Sequence, residues 1–248
     1  MVKLSQERFV GLGFQKCGSS SLYWLIREIR PDILGTVSGI EGKEAHGIDT
    51  WSPSKRKYER AVGPGLRLDF TPNYAYSIPR LVALREWYPQ LRVLLTVRNP
   101  IDRFYSALDH GKSLGLFPEA LSDDEAFAKS ISPGASGHYR DLISWGHYQP
   151  GVAAALSLWG KQNVFLTSLE LLSDPESQSE EIQRLGDFLL GDPEGINSVE
   201  FRKVNSSDED GPRPLAGGRT PRSLDVESRL ESIYRSSWTS VLDLLDDR

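Results

Sequence analysis

Residues 8–26 read RFVGLGFQKCGSSSLYWLI, and this stretch decides the fold of the chain. The part from Arg8 to Phe14 is short and nearly continuous in apolar residues, which is the pattern of a parallel strand covered on both faces. Apolar residues then recur at helical spacing from Leu22 to Ile29, after serines that suit a helix N-terminus, and Pro31 ends the run. The stretch therefore predicts a strand, a loop and a helix in that order.

The same order of strand and helix repeats further along the chain. Leu91–Val97 is a second clear strand, and Asn99 can cap a helix whose first residue is Pro100. Val164–Ser168 is a third strand of the same apolar character. The remaining predictions are helices at Val152–Trp159, Ser177–Leu190 and Asp225–Leu245, and weaker strands at Ile33–Val37 and Leu66–Phe70.

Strands that alternate with helices predict an α/β fold, here a P-loop-like, doubly wound parallel sheet with helices on both faces. The 248 residues, of which 39% are hydrophobic and 25% charged, are enough for a sizeable core. No internal repeat and no interdomain linker is visible in the sequence. A single domain that spans residues 1–248 is therefore expected.

Charge and hydropathy limit the partners of this protein. The net charge of -5 gives no bulk basic field, so we expect neither nucleic acid nor an anionic membrane as a partner. Apolar runs such as Val93–Val97 are far shorter than the roughly 20 residues that cross a bilayer. Residues 1–6 lack the apolar stretch of a secretory signal, and Cys17 is the single cysteine. These features predict a cytoplasmic protein.

The loop after the first strand has the chemistry of a phosphate site. Gly13 and Gly18 have the spacing of the Walker pattern, but Ser19 stands where that pattern requires lysine, and the lysine of this loop is Lys16. Loops of this kind lie at the carboxyl ends of parallel strands, where helix N-termini attract anions. The loop therefore predicts phosphate binding that differs from that of nucleoside triphosphatases.

The end of the second strand supports the same interpretation. A kinase or triphosphatase needs an acidic group to hold Mg²⁺, commonly at the end of a neighbouring strand, whereas this strand leads into Arg98. An arginine there, facing a helix that carries Ser106, suits a phosphate monoester bound without a metal. His110, His138 and His147 have no ligand-like spacing, so no metal site is expected. Arg103 on the same helix is predicted to be a solvated charge.

Two segments resemble the donor-binding motifs of the sulfotransferases. FQKCGSSSL at residues 14–22 resembles their 5′-phosphosulfate loop, and VRNPIDRFYSAL at residues 97–108 resembles their 3′-phosphate-binding segment. The order of motifs is similar to that of the heparan sulfate sulfotransferase branch. Two further segments resemble motifs of that branch: KEAH at 43–46 resembles its KEPH, and LDFTPNY at 68–74 resembles its EKTPAYF. The stretch from WGHY to DP at 145–175 resembles its G-x-Y, helix, strand and D-P stretch, and GGRT at 217–220 resembles its KGRT loop.

The resemblance implies an enzyme of class EC 2.8.2 that uses 3′-phosphoadenosine 5′-phosphosulfate without a metal and releases adenosine 3′,5′-bisphosphate. The acceptor would be a hydroxyl or amine of a carbohydrate or small molecule. Carried over onto this sequence, the donor contacts are Gln15, Lys16, Cys17, Gly18, Ser19, Ser20 and Ser21 in the first loop, Arg98 and Ser106 in the second segment, and Gly218, Arg219 and Thr220 in a late loop at 205–221. Apart from the resemblance, Phe201 lies just before the late loop, where an aromatic ring can either stack on adenine or belong to the core.

The resemblance also implies the groups that act on the acceptor. Lys16 is the catalytic cation and Glu44 the general base, with His46 as a rival base because imidazole titrates near neutral pH. The residues expected to contact or line the acceptor site are Lys43, Glu44, His46, Trp51, Phe70 and Tyr148. Phe70 and Gly217 replace two lysines of the heparan sulfate branch, and this loss of cations predicts a small or weakly charged acceptor.

Two other function classes are compatible with a phosphate loop. One is a phosphotransferase that uses a nucleoside triphosphate with Mg²⁺, and the other is a nucleotide-binding module without catalytic activity. The pairing of the loop at residues 14–22 with Arg98 and Ser106 favours the sulfotransferase over both. For Cys17, a redox role is weighed against a contribution of the backbone alone, and the sequence favours the backbone.

Overall fold

A computed structural model of the chain describes residues 8–33, 43–50, 52–62, 68–191, 199, 201 and 218–247. Its strands are β1 Phe9–Gly13, β2 Leu68–Phe70, β3 Arg92–Val97 and β4 Val164–Ser168. Its α-helices are α1 Ser19–Ile29, α2 Lys55–Val62, α3 Ile78–Trp87, α4 Pro100–Ser113, α5 Asp123–Ile131, α6 Gly137–Ser144, α7 Gln149–Trp159, α8 Leu169–Ser173, α9 Gln178–Leu190 and α10 Leu224–Asp246. Short 3₁₀ helices lie at Pro31–Ile33, Tyr74–Tyr76 and Lys161–Asn163.

The four strands form one parallel sheet in the order β2-β1-β3-β4. From β1 the chain moves to one side for β2 and to the other side for β3 and then β4, which is the doubly wound order. The switch point lies between β1 and β3, and ligands of such sheets bind beyond the carboxyl ends of the strands at that point. The predicted α/β fold with a parallel sheet is confirmed. The residues after Gly13 and Val97 follow the two strands at the switch point and are therefore the candidates for a ligand site.

Every residue of β1 is buried, as expected for a strand covered on both faces. Gly11 pairs with Phe70 of β2, and the space above Gly11 is filled by the Phe70 ring. The hydrophobic core around these strands is formed by side chains from β1, α1, β2, β3, β4, α8 and α9. They include Phe9, Leu22, Leu25, Ile26, Leu68, Phe70, Leu94, Phe165, Leu172, Leu185 and Leu189.

The chain divides into two compact units. The sheet unit comprises Met1–Val97, Pro150–Lys203 and Asp247–Arg248, and the helical unit comprises Arg98–Gln149 and Val204–Asp246. Helices α4, α5, α6 and α10 build the helical unit around an apolar core. That core includes Phe104, Tyr105, Leu108, Phe127, Leu142, Val226, Leu230 and Tyr234.

Arg103 of α4 corrects one prediction. The sequence pattern predicts a solvated charge, but Arg103 is only 1% exposed, and its Nη1 donates hydrogen bonds to the backbone oxygens of Asp141 (3.2 Å) and Leu142 (2.8 Å). These carbonyls lie in the last turn of α6, where Asp141 also accepts a hydrogen bond from the Trp145 amide (3.3 Å). The buried guanidinium group therefore binds carbonyls at the end of a neighbouring helix, a role that depends on tertiary structure.

The predicted elements agree well with the observed ones where both are described. The strands predicted at 91–97 and 164–168 are β3 and β4, and the weaker strand predicted at 66–70 is β2. Asn99 caps α4 by accepting a hydrogen bond from the Ile101 amide (2.9 Å), and Pro100 is the first residue of the helix, both as predicted. The strand predicted at 33–37 lies largely outside the described residues. Among the described helices, none is long and apolar enough to cross a membrane.

The contact between Gly11 and Phe70 generates a prediction about stability. A Cβ atom at position 11 would lie 2.2 Å from the Phe70 ring, which is itself fully buried. We expect Gly11→Ala to lower the free energy of unfolding by about 1–3 kcal/mol, because the ring cannot move without disturbing the core. Urea denaturation measures this as a lower midpoint with an unchanged m value.

Gly137 provides the matched control, because the nearest atom to a Cβ at this exposed helix position is 4.0 Å away. Gly137→Ala should leave the midpoint unchanged or raise it slightly. Equal midpoints for the two variants would contradict the steric argument for Gly11.

Candidate active site

The loop between β1 and α1 is fixed to the end of β3. The Phe14 amide donates to the backbone oxygen of Thr96 (2.9 Å), and the Thr96 hydroxyl donates to the backbone oxygen of Cys17 (2.8 Å). Gly18, with φ 87°, turns the chain into α1, and a Cβ atom there would lie 2.7 Å from Leu169 Cδ1. The loop therefore needs glycine at position 18 for its backbone conformation and for its packing.

The first turn of α1 can bind an anion through its backbone. Gly18 has no side chain that could cap the helix, so the amides of Ser19 and Ser20 lie at the positive end of the helix dipole without a side-chain cap. Lys16 adds a cation, and its φ of 65° places it in the left-handed region that lysine seldom adopts. This combination of amides and a lysine suits a phosphosulfate group.

The other side chains of the loop are turned away from solvent to different degrees. Gln15 is half-buried, whereas Cys17 is fully buried with its Sγ 3.6 Å from the backbone oxygen of Gln15. A thiol so enclosed is removed from reagents in solution. The structure is thus compatible with the contribution of backbone groups predicted for Cys17.

Lys43 contacts the first turn of α1, directly after this loop, and is only 3% exposed. Its Nζ donates hydrogen bonds to Ser19 Oγ (3.3 Å) and Ser20 Oγ (3.1 Å), and it forms an ion pair with Glu44 Oε1 (3.1 Å). The ammonium group also lies 5.7 Å from the centre of the Phe70 ring. One buried cation therefore links the candidate donor loop to the candidate base.

Glu44 and Asp49 hold His46 between them. His46 Nε2 lies 3.1 Å from Glu44 Oε2, and its Nδ1 lies 2.6 Å from Asp49 Oδ2. Partial burial disfavours the charged ring, but the hydrogen bond with Asp49 and the charges of Asp49, Glu44 and Asp69 outweigh that effect, so the pKa of His46 lies above its usual value. The structure thus brings Lys43, Glu44 and His46 together and adds Asp49, which the sequence argument did not single out.

Asp69 is a further residue that the sequence argument missed. It lies in β2, is 2% exposed, and accepts hydrogen bonds from the Ala45 amide (3.1 Å), the Thr71 hydroxyl (2.7 Å) and the Tyr74 hydroxyl (2.9 Å). Burial raises the pKa of Asp69, and the hydrogen bonds that it accepts oppose this rise. The available signal was a carboxylate inside an otherwise apolar strand, LDF, where a buried charge requires a structural reason.

In the helical unit, the predicted 3′-phosphate segment and the end of the late loop lie together. Arg98 follows β3 directly, and the half-buried Ser106 lies on α4. Asp109, one turn after Ser106, accepts hydrogen bonds from the amide (3.0 Å) and hydroxyl (2.5 Å) of Thr220. The buried Lys112 donates to the same hydroxyl (2.8 Å), so Thr220 is fixed to α4 by two side chains.

Other residues of the late loop are either exposed or not described. Gly218 has a φ of 76° and precedes Arg219. The Arg219 side chain is exposed, so a ligand can reach it from solvent. Gly217 and residues 205–216 lie outside the described residues. In the part of the chain that the structure covers, no group of three His, Cys, Asp or Glu side chains could hold a metal ion.

The aromatic residues predicted to line the acceptor or adenine site are mainly packed in the protein interior. Phe70 is fully buried in the core of the sheet unit, and Phe201 packs against the same core. Tyr148 is 1% exposed and contacts Trp238 edge to face, with ring centres 6.0 Å apart. Trp51 lies outside the described residues. A ligand-binding role for these four aromatic residues stays a prediction.

Comparison with known proteins identifies the family. The family model of the sulfotransferase domain matches residues 8–200. A comparison with curated proteins finds no match. A solved sulfotransferase from Alicyclobacillus acidocaldarius has 19% sequence identity and a TM-score of 0.70 over 98% of this chain and 97% of that chain. The sulfotransferase domain from the curacin biosynthetic pathway has 13% identity and a TM-score of 0.44 over 91% and 96%.

At 19% identity, the similarity to the Alicyclobacillus protein shows a shared fold. The family match is independent of that comparison, and it covers most of the chain, including β1, the loop at residues 14–18 and the Lys43–Asp49 segment. The chain therefore belongs to the sulfotransferase family.

Proposed function

We propose that this sulfotransferase moves a sulfuryl group from 3′-phosphoadenosine 5′-phosphosulfate to a hydroxyl or amine of a carbohydrate or small-molecule acceptor. One observation carries the proposal. The buried ammonium group of Lys43 bonds Ser19 and Ser20 at the start of α1 and also Glu44. This shared cation holds the helix terminus that can bind an anion close to the carboxylate that can act as base, and direct transfer between donor and acceptor requires such proximity.

In this proposal the donor is held at both of its phosphate ends. The amides of Gly18–Ser20 and the Lys16 ammonium group bind the 5′-phosphosulfate, whose negative charge the helix terminus favours. Arg98, Ser106 and Arg219 bind the 3′-phosphate by charge-assisted hydrogen bonds. Gln15, Cys17, Ser21, Gly218 and Thr220 support these contacts, and Phe201 contributes to the adenine site.

The reaction is an in-line displacement at sulfur. The donor supplies the sulfuryl group, and its bond to the bridging phosphate oxygen breaks as the bond between sulfur and the acceptor forms. Glu44 accepts the proton that the acceptor hydroxyl or amine loses, and Lys16 neutralises the charge that develops on the departing oxygen. This electrostatic role of Lys16 parallels that of the cations in phosphoryl transfer.

Glu44 is a better candidate for the base than His46. The pKa of His46 is raised by its carboxylate neighbours, so its ring holds a proton more firmly than an unperturbed histidine, and both of its nitrogens face carboxylates. A protonated ring cannot accept a proton from the acceptor. In this proposal His46 orients the Glu44 carboxylate, and Lys43, whose amine is removed from solvent, acts on Glu44 and the serines instead of contacting the acceptor.

The acceptor is proposed to be small or weakly charged, although the order of motifs resembles the heparan sulfate branch. Lys43 is buried, and the exposed ring of His46 is flanked by Glu44 and Asp49. Phe70 occupies the position of a lysine in that branch. Such surroundings offer little attraction to a highly sulfated polymer, whereas a sugar, a glycoside or a metabolite hydroxyl requires no strong positive potential.

Donor binding can be tested without knowledge of the acceptor. We expect adenosine 3′,5′-bisphosphate to raise the unfolding temperature, because a ligand at about 100 times its dissociation constant adds about 2.7 kcal/mol to stability. ATP with Mg²⁺ should give a smaller shift. A larger shift with ATP and Mg²⁺ would favour a phosphotransferase and contradict the proposal.

The same titration identifies the role of Lys16. Lys16→Ala should reduce the shift with bisphosphate and lower transfer by about 100-fold, because a preorganised cation at the departing oxygen is lost. Lys129→Ala, which removes an exposed lysine from α5, is the control and should behave like the unaltered protein.

The identity of the base can be tested by substitution and by pH. Glu44→Gln should lower kcat by about 10²–10⁴-fold and leave bisphosphate affinity unchanged, because an amide keeps the shape but cannot take the proton. Glu86→Gln, which makes the same replacement at an exposed glutamate of α3, is the control and should leave kcat unchanged. If Glu44 is the base, kcat does not fall as the pH falls through the raised pKa of His46, because the protonated ring still orients the carboxylate.

A histidine base would give the opposite pH dependence. Protonation of His46 would then remove the base, and kcat would fall with decreasing pH below the pKa of that ring. A larger loss of kcat in His46→Ala than in Glu44→Gln would likewise assign the base to histidine.

The acceptor class can be tested with labelled donor. We expect sulfation of simple sugars, glycosides or other hydroxylated small molecules to be more efficient than sulfation of heparan sulfate or its unsulfated precursor, because the site has little positive potential for a polyanion. Label transfer, separated by acceptor, measures the difference. Efficient sulfation confined to the heparan chains would refute the acceptor assignment and leave the donor assignment intact.

A further inference from the structure

The segment Lys43–Gly47 carries both candidate bases, yet it lies in neither a helix nor a strand. Repeating backbone hydrogen bonds therefore do not fix the positions of Glu44 and His46. Catalysis by a general base requires its carboxylate to be held within a fraction of an ångström of its working position. Another part of the protein must supply that constraint.

The constraint comes from β2 and the residues that follow it. The amides of Ala45, His46 and Gly47 donate in turn to Asp69 Oδ1 (3.1 Å), Thr71 Oγ1 (3.3 Å) and Tyr74 Oη (2.9 Å). The backbone oxygen of Lys43 accepts a hydrogen bond from the Phe70 amide (2.9 Å). Each bond holds a different residue of the segment, so its path is fixed on both sides of Glu44.

Asp69 organises these contacts. Its carboxylate accepts hydrogen bonds from the Thr71 and Tyr74 hydroxyls as well as from the Ala45 amide. Because both hydroxyls donate their protons to Asp69, their lone pairs are free to accept from His46 and Gly47. An amide or an apolar side chain at position 69 could not accept from all three donors and would leave buried groups without partners.

We propose that Asp69 is a positioning residue, which fixes the Lys43–Gly47 segment and thereby aims Glu44 at the acceptor. The inference rests on the proposed role of Glu44, and it adds a residue whose buried carboxylate is bonded to other groups of the protein. A buried carboxylate is costly to stability, so its presence in an apolar strand is accounted for by this organising role.

Tyr74→Phe tests the proposal without changing charge and with little change in side-chain volume. The variant removes the acceptor of the Gly47 amide and one donor to Asp69. We expect kcat to fall about tenfold, because the base is displaced, while the donor KM and the affinity for bisphosphate stay unchanged. The His46 ring, followed by NMR, should show a pKa closer to its usual value, because its fit between Glu44 and Asp49 is loosened.

Tyr234→Phe is the matched control. Tyr234 is a buried tyrosine of the helical unit, and its hydroxyl donates to the backbone oxygen of Ile143 (2.8 Å). Loss of this hydroxyl should lower the unfolding midpoint much as Tyr74→Phe does, but it should alter neither kcat nor the titration of His46. The comparison separates lost stability from lost positioning.

Thr71→Val is the second test, should Tyr74→Phe fail to fold. It removes the acceptor of the His46 amide with little change in shape, and the same fall in kcat and in the His46 pKa is expected. Unchanged titration of His46 in the folded variants would overturn the proposal whether or not the acceptor is known. A separate outcome would overturn the positioning role alone. In that outcome Glu44→Gln loses transfer, whereas Tyr74→Phe and Thr71→Val keep kcat within about twofold of the parent.

Discussion

The charge of Lys43 is the constraint on which the candidate active site depends. An ammonium group removed from water must be compensated by nearby groups, because an isolated buried charge is strongly destabilising. Here the compensation comes from two serine hydroxyls of α1 and from Glu44. The need to satisfy this cation therefore ties the start of the helix after β1 to the segment that carries the base.

Features encoded by neighbouring residues were predictable from the sequence. The strand, glycine turn and serine-rich helix start lie within residues 8–26, and Asn99 followed by Pro100 marks the start of α4 by local chemistry alone. The apolar runs of β3 and β4 reflect burial on both faces of a parallel sheet. The resemblance in the two donor motifs rested on the same local segments, and the family match includes both.

Features that arise from contacts between distant residues were not predictable. Arg103 has the sequence pattern of a surface helix charge, and its burial depends on contacts with other helices, among them the carbonyls at the end of α6. Asp69 likewise acquires its role from a segment 24 residues earlier in the chain, and Thr220 is fixed by Asp109, 111 residues away. Periodicity and spacing describe a segment by itself, so they contain no information on such partners.

The backbone of the loop after β1 limits how this enzyme can be re-engineered. Lys16 and Gly18 both have positive φ angles, 65° and 87°, and a β-branched residue at either position would meet severe steric conflict. A combinatorial library over this loop should therefore keep these two positions fixed and vary Gln15, whose side chain is half-buried. A loop grafted from another protein at residues 14–18 will function here only if its third and fifth residues tolerate the left-handed conformation.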